Sequence, residues 1–327
     1  MRVYRDLKTL PLFKNAVITI GTFDGVHSGH CQVIAQLKEE AARIDGETVI
    51  ITFDPHPRKV ITTGHGEIRL LTTLNERIEL LDKAGIENLV IVRFNQTFAN
   101  QTAEEYITDF LYQYFKPHTI IIGYDHRFGK GRVGDYHLMD HYGDILGFEV
   151  KETSEQIKNE VIVSSTRIRN ALITCDVTTA NSLLGYNYFF EGTVIQGNKL
   201  GRTIGYPTAN LHIESEEKLI PGNGVYAVEV SLISEKTNTE FLTSSMYTHP
   251  SMIIYEGMMN IGVRPTIDAK MRMIEVNIFD FDDDIYGQTL RVSVKHYLRG
   301  EIKFSSLDKL KQQLLLDKEQ ALKLLKN

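Results

Sequence analysis

Four runs in the first half of the chain are apolar from end to end: 16–20 (AVITI), 48–53 (TVIITF), 89–92 (LVIV) and 119–122 (TIII). A strand with one wet face alternates apolar and polar residues, whereas a strand covered on both faces does not. Between these runs lie helical patterns at 30–44, at 76–85 with Asn75 expected as its cap, and at 103–115. The alternation of buried strand and helix predicts a parallel sheet in a Rossmann-like α/β domain. Ligands of such sheets bind beyond the carboxyl ends of the strands. The segments just after Ile20, Phe53 and Ile122 are therefore where chemistry is expected.

From about Tyr188 the texture changes. Segments 188–195, 225–233, 258–263, 274–281 and 290–297 read as strands of an antiparallel sheet or β-barrel, separated by Gly, Asn and Asp turns. Ser306 is expected to cap a terminal helix with Leu307, Leu310, Leu314 and Leu322 on one face. The expected domains are 1–186 and 187–327, and a chain of 327 residues is long enough for both. The net charge of −6, with neither half basic, argues against a nucleic-acid or anionic-membrane surface. No stretch approaches 18 apolar residues, and the first 17 residues lack the apolar core of a secretory signal. Cys31 and Cys175 form no CxxC pair, which excludes a disulfide scaffold and suits a reducing cytoplasm. The expected partners are small molecules, and the sequence sets no oligomeric state.

The loop after the first apolar run reads Gly21-Thr22-Phe23-Asp24-Gly25-Val26-His27-Ser28-Gly29-His30. Its glycines permit close backbone approach, and His27 and His30 share one face of a beginning helix. A helix N-terminus favours anions, and imidazoles beside it can stabilise charge developing at phosphorus. The residues alone leave three readings open: a phosphate clamp, a plain loop opening a helix, or a metal site with Asp24 and Cys31. Ser164-Ser165-Thr166-Arg167-Ile168-Arg169 opens another helix, where hydroxyls cap or bind phosphate and arginine pairs with phosphate in a bidentate way. Gly129 to Gly134 formally matches GxGxxG, but six residues separate it from its strand, which argues against a dinucleotide fingerprint.

In the second half, Gly197-Asn198-Lys199-Leu200-Gly201-Arg202-Thr203-Ile204-Gly205 precedes Tyr206-Pro207-Thr208-Ala209-Asn210. If the PTAN segment is extended, Thr208 and Asn210 point the same way, and their oxygens suit a hard cation such as Mg²⁺. A proline turn leading into a strand is the plainer reading. Glu275, between Ile274 and Val276, is either an exposed-face residue or a site carboxylate.

GTFDGVHSGH resembles the HxGH signature of the nucleotidyltransferases, and in its full length that of the bacterial bifunctional FAD synthetases. The segments FDPHP at 53–57 and SSTRIR at 164–169 resemble further strings of that family. GNKLGRTIGYPTANL resembles the riboflavin kinase signature of the family's second domain, as do 260–266 (NIGVRPT), Leu298-Arg299 and Lys303-Phe304. The resemblance implies an N-terminal nucleotidyltransferase domain and a C-terminal riboflavin kinase barrel. It implies conversion of riboflavin to FMN and then to FAD, with ATP as co-substrate and Mg²⁺ at both sites. His27, His30 and Glu275 would be catalytic. Gly21, Phe23, Asp24, Gly25, Ser164, Ser165, Thr166, Arg167, Arg169, Gly197, Lys199 and Gly201 would contact ATP or its phosphates. Asp125 and Arg127 would contact flavin or nucleotide, and Thr208 and Asn210 would hold the metal. Two departures stand out: His126, where the family usually has phenylalanine, and an apparent insertion at 234–252.

Overall fold

The computed structural model describes residues 1–61, 68–123, 126–153, 165–197, 200–233, 253–265 and 270–326. The chain divides into two compact units, Met1–Ser164 and Ser165–Asn327. This break falls ahead of the change of texture near residue 186. The helices Ser165–Ile173 and Val177–Leu184 belong to the second unit by their contacts. Asn181 ties them there: its Nδ2 donates to Val294 O at 2.9 Å and its Oδ1 accepts from Tyr188 N at 2.8 Å.

The first unit holds a six-stranded parallel sheet: β1 (Arg2–Tyr4), β2 (Val17–Ile20), β3 (Thr48–Asp54), β4 (Asn88–Arg93), β5 (Thr119–Ile122) and β6 (Glu149–Glu152), in the order β1-β4-β3-β2-β5-β6. The four apolar runs are its four central strands. Ile18, Ile20, Val49 and Ile51 enter the core on one face, and Val17, Ile50 and Leu89 the core on the other. That two-sided burial is the physical reason the runs do not alternate. The edge strands RVY and EVKE are short and partly polar, so no apolar run marks them in the sequence. The chain winds from β2 to β3 to β4 on one side and places β5 on the other side of β2. The carboxyl end of β2 is thus the topological switch point, where a crevice opens between loops that diverge.

Helix α1 (Ser28–Arg43) follows that loop, with His27 as its N-cap. The helix Leu74–Lys83 is capped by Thr73 in a capping box with Glu76, not by Asn75 as expected. A threonine three residues before a glutamate satisfies two backbone N–H groups at once. In the helical stretch 103–115, residues Tyr106–Tyr112 are wound as a π-helix. The GxGxxG match is a tight turn: Phe128 pairs with Gly134, whose missing side chain leaves room for the Phe128 ring. Nothing about it resembles a strand-to-helix dinucleotide turn.

In the second unit β7 (Phe189–Ile195), β8 (Ala209–His212), β9 (Gly224–Ile233), β10 (Ile254–Pro265), β11 (Lys270–Ile278) and β12 (Thr289–Arg299) close into an antiparallel barrel in the order β10-β11-β8-β7-β12-β9. β8 was read only as an extended PTAN segment. The terminal helix Leu307–Leu325 starts at Ser306, whose hydroxyl accepts from Lys309 N at 3.3 Å. Leu314, Leu322 and Leu325 pack with Ala321 onto the outer barrel face at Ala227, Met258 and Phe279. Leu307 is exposed instead of sharing that face, because it lies at the first helical position beyond the barrel contact. The apparent insertion 234–252 lies outside the described residues.

A buried ion pair fixes the terminal helix. Arg299 on β12 holds Asp317 through Nε–Oδ1 at 2.9 Å and Nη2–Oδ2 at 2.6 Å, and Gln313 Nε2 also donates to Oδ1 at 2.9 Å. Asp317 is 1% exposed. Removing one partner of such a pair leaves the other charge desolvated. Asp317→Ala should therefore destabilise the second unit by roughly 2–4 kcal/mol, the lower end reflecting the partial exposure of Arg299. Thermal denaturation of the two variants Asp317→Ala and Asp317→Asn would check this, with the asparagine variant expected to lose less.

Candidate active sites

The loop from Gly21 to His27 occupies the switch point. Phe23, Gly25 and Val26 all adopt positive φ (+49°, +87° and +37°), so the loop folds back tightly before the helix begins. For Phe23 and Val26 this conformation is strained and must be imposed from outside. Asp24 imposes it. The carboxylate is 1% exposed and accepts from Leu71 N (3.1 Å), Thr72 N (2.9 Å) and Thr72 Oγ1 (3.1 Å). Thr72 Oγ1 in turn accepts from Gly25 N at 3.0 Å. Asp24, expected at the phosphates, is thus a buried staple between this loop and the segment leading to the helix Leu74–Lys83.

His27 and His30 lie face to face, with ring centroids 3.7 Å apart and planes 14° from parallel. His27 Nδ1 accepts from His30 N at 3.4 Å, and Phe23 flanks the other side of His30 at 4.9 Å. Buried Nδ1 of His30 has no hydrogen-bond partner. Burial, then the neighbouring His27, then Arg77 hold the His30 imidazole well below its usual range. This favours the neutral imidazole at physiological pH. Gly21 closes the end of β2, donating from N to Ile51 O at 3.0 Å.

The other residues expected here are placed differently. Arg127 is exposed, with Nη1 3.9 Å from Asp135 Oδ2. Asp125, Ser164 and Lys199 lie outside the described residues. Ser165, Thr166, Arg167 and Arg169 stand on the first turn and a half of the helix Ser165–Ile173, in the second unit, with Thr166 and Arg167 exposed.

The barrel holds a second constellation. Glu275 on β11 is paired in register with Asn210 on β8 and Asn260 on β10, and Asn260 with Val225 on β9. Residues directly opposite one another project to the same side of a sheet. All four line one cavity of about 290 Å³, together with Thr208, Asn277, Gly201 and Tyr206, and its wall includes Ile302, Phe304, Leu310 and Leu314. Between the two readings of Glu275, the structure thus chooses a cavity position under the terminal helix over open solvent. Asn277 Nδ2 donates to Pro207 O at 2.6 Å and so pins the PTAN segment against β11. Asn210 is 8% exposed, and its buried Oδ1 has no hydrogen-bond partner. Gly197 lies directly against that amide, and Gly201 against Tyr206 O, so neither position has space for a side chain. An orphaned amide oxygen beside a threonine hydroxyl and a carboxylate is a hard-oxygen donor set that fits Mg²⁺. Asn260 is a cavity residue that sequence reasoning quoted within a motif without giving it a role.

Two domains with one constellation each define the class: a nucleotidyltransferase fold joined to a flavokinase barrel. The FAD synthetase family model matches residues 11–167 and the riboflavin kinase family model residues 184–325. The chain is 36% identical over 304 residues to the bifunctional riboflavin kinase/FMN adenylyltransferase of Escherichia coli K12, covering 93% of this chain and 91% of that one. It is 34% identical over 317 residues to the protein of the same name from Bacillus subtilis, covering 95% and 93%. A crystal structure described as a macrolide-efflux protein from Streptococcus pneumoniae superposes with a TM-score of 0.84 at 30% identity, covering 98% of both chains. Among the described residues of the present chain, no helix is long and apolar enough to cross a membrane. The chain belongs to the family of bifunctional riboflavin kinases/FMN adenylyltransferases.

The depressed His30 has a consequence for stability. Between its folded-state pKa and the ordinary value near 6.5, the unfolded chain binds a proton that the folded chain does not, so stability falls as pH drops below about 6.5. His30→Gln should flatten that part of the stability curve of the first unit, while the wild type keeps its slope. NMR titration should show the His30 ring unprotonated at pH 6.5.

Proposed function

We propose that the two units divide the family's two reactions between them, each with its own set of reacting side chains. In the barrel, Glu275 takes the proton of the ribityl hydroxyl of riboflavin. The freed oxygen attacks the γ-phosphorus of ATP, giving FMN and ADP. A bound Mg²⁺ would neutralise phosphate charge, and Thr208 and Asn210 would hold it. Gly197, Lys199 and Gly201 are proposed as contacts of the nucleotide phosphates. The apolar wall of Ile302, Phe304, Leu310 and Leu314 offers a surface for the flavin ring.

In the first unit a phosphate oxygen of FMN attacks the α-phosphorus of a second ATP, giving FAD and pyrophosphate. His27 and His30 donate hydrogen bonds to the charge that develops there, at the mouth of α1 where the helix field favours anions. Gly21, Phe23 and Gly25 shape the loop backbone around the phosphates. From motif resemblance alone, Ser164, Ser165, Thr166, Arg167 and Arg169 are proposed as phosphate contacts, and Asp125 and Arg127 as flavin or nucleotide contacts, without assigning them to either unit's site. We place the enzyme in the cytoplasm, consistent with its two unpaired cysteines.

The observation that carries this reading is the separation of the two sets. The stacked histidines sit at the switch point of one unit, and Glu275 sits between two asparagines in the cavity of the other. Incubation with riboflavin, ATP and Mg²⁺, followed by chromatography, should show FMN appearing before FAD. Conversion of neither flavin would end the reading.

Two sets of variants separate the sites. His27→Ala and His30→Ala should each lower FAD formation from FMN by about 10²–10³, since each removes a donor to the transition state. FMN formation should persist; parallel loss of both activities would count against two sites. Glu275→Gln should lower FMN formation by about 10²–10⁴ with riboflavin affinity nearly intact, because only the proton acceptor is lost. Thr208→Ala and Asn210→Ala should raise the Mg²⁺ concentration needed for half-maximal kinase rate. FAD formation from supplied FMN should be unchanged in all three barrel variants.

A further inference from the structure

Arg77 is among the largest fully buried side chains of the protein, at 1% exposure. It stands on the first turn of the helix Leu74–Lys83, just after the segment that Asp24 staples to the histidine loop. Its Nη1 donates to Thr52 Oγ1 at 3.2 Å and Phe53 O at 3.3 Å, at the carboxyl end of β3. Thr52 Oγ1 donates onward to Thr22 O at 3.2 Å in the loop after β2. The guanidinium thus bridges the ends of the two central strands directly behind the histidine loop. Its Nε is buried with no hydrogen-bond partner.

Arginine is rarely buried so completely without a paired carboxylate. Among the described residues, no carboxylate oxygen lies within ion-pair distance of Arg77. Asp24 and Asp54 attract it only at longer range, and burial pulls its guanidinium below the ordinary value. Asp24 is engaged with Leu71 and Thr72, and Asp54 is exposed. Arg77 also lies close enough to His30 for its charge to act on that imidazole. The charge is therefore incompletely neutralised within the folded protein, and it sits beside groups that face an anionic substrate.

We propose that Arg77 is a positioning residue of the adenylyl-transfer site, a buried cation behind the two histidines that joins the ends of β2 and β3 and whose charge is offset when the phosphates of ATP bind in front. It does not touch substrate. It acts by holding the loop and by adding a positive potential that the low-dielectric surroundings do not screen. Nothing in the local pattern marks Arg77, because it occurs in an ordinary charged helix. The inference rests on the reading of this loop as the adenylyl-transfer site.

Three variants test it. Arg77→Gln keeps a donor and drops the charge, Arg77→Met keeps the bulk and drops both, and Arg77→Lys keeps the charge. In FAD formation from FMN, the two uncharged variants should lower kcat/KM for ATP by about ten- to a hundredfold, as expected for one charge acting over several ångströms at partial screening. Inhibition by inorganic pyrophosphate should weaken with them, while KM for FMN stays near wild type. Arg77→Lys should recover most of the loss. FMN formation from riboflavin reports that the second unit is intact throughout. A residue needed only for packing would lower the melting temperature of the first unit and leave kcat/KM for ATP and pyrophosphate inhibition at wild-type values. That result, or a lysine variant as impaired as an uncharged one, would overturn the proposal. If Arg77→Gln fails to fold, the methionine variant supplies the uncharged arm. Failure of the wild type to form FAD at all would instead overturn the assignment of the loop.

Discussion

A parallel sheet buried on both faces leaves polar groups only the ends of its strands. Val17 to Ile20, Thr48 to Phe53 and Thr119 to Ile122 are covered above and below. The polar side chains described above therefore gather near the carboxyl ends of the strands, in the loops and first helical turns that follow. The order β3-β2-β5 then opens a crevice at one of those ends, because the chain leaves β2 toward β3 and returns on its other side. The stacked histidines stand there. Their loop is strained at Phe23 and Val26, and Asp24 and Thr72 hold it in that conformation.

The barrel solves the same problem in another way. Closure pairs each strand with a neighbour on either side, so the sheet has no edge strand. Its inner face is filled with apolar side chains such as Val228, Val276 and Val292. Polar residues are placed on the outer face, in a register row, and the terminal helix covers them to make a cavity. Glu275 has asparagines on both neighbouring strands in that row, so its carboxylate gains polar company on either side. Arg299 and Asp317 keep the covering helix in place through a pair shielded from water. The cavity thus depends on a contact between β12 and a helix that the register itself does not dictate.

Legibility in the sequence followed periodicity. The central strands of the sheet, α1, most of the barrel strands and the terminal helix are visible, since each carries an apolar run or period. The edge strands β1 and β6 and the short β8 are not, because RVY, EVKE and ANLH mix polar and apolar residues over too few positions to show a period. Thr73 displaced Asn75 as a cap because the capping box needs the glutamate that stands three residues after Thr73. Motif resemblance marked His27, His30, Thr208, Asn210 and Glu275. The structure brings His27 and His30 into one stack, and Thr208, Asn210 and Glu275 into one cavity. It engages Asp24 with Leu71 and Thr72, places Asn260 in the cavity and buries Arg77, and these positions follow from pairing and burial rather than spacing.

Sequence alone determined the two-part architecture and the two sets of candidate residues, because hydrophobic period and turn residues are local properties of a chain. Tertiary structure decided the surroundings of each charged residue. Asp24, Arg77 and Glu275 are equally polar in the sequence, and each could sit on a solvated surface. Burial separates them: a staple sealed by backbone N–H groups, a cation enclosed without a paired carboxylate, and a carboxylate at the centre of a cavity. The free energy of a charge depends on the solvent and partners around it, and those are assembled by strands and helices far apart in the chain.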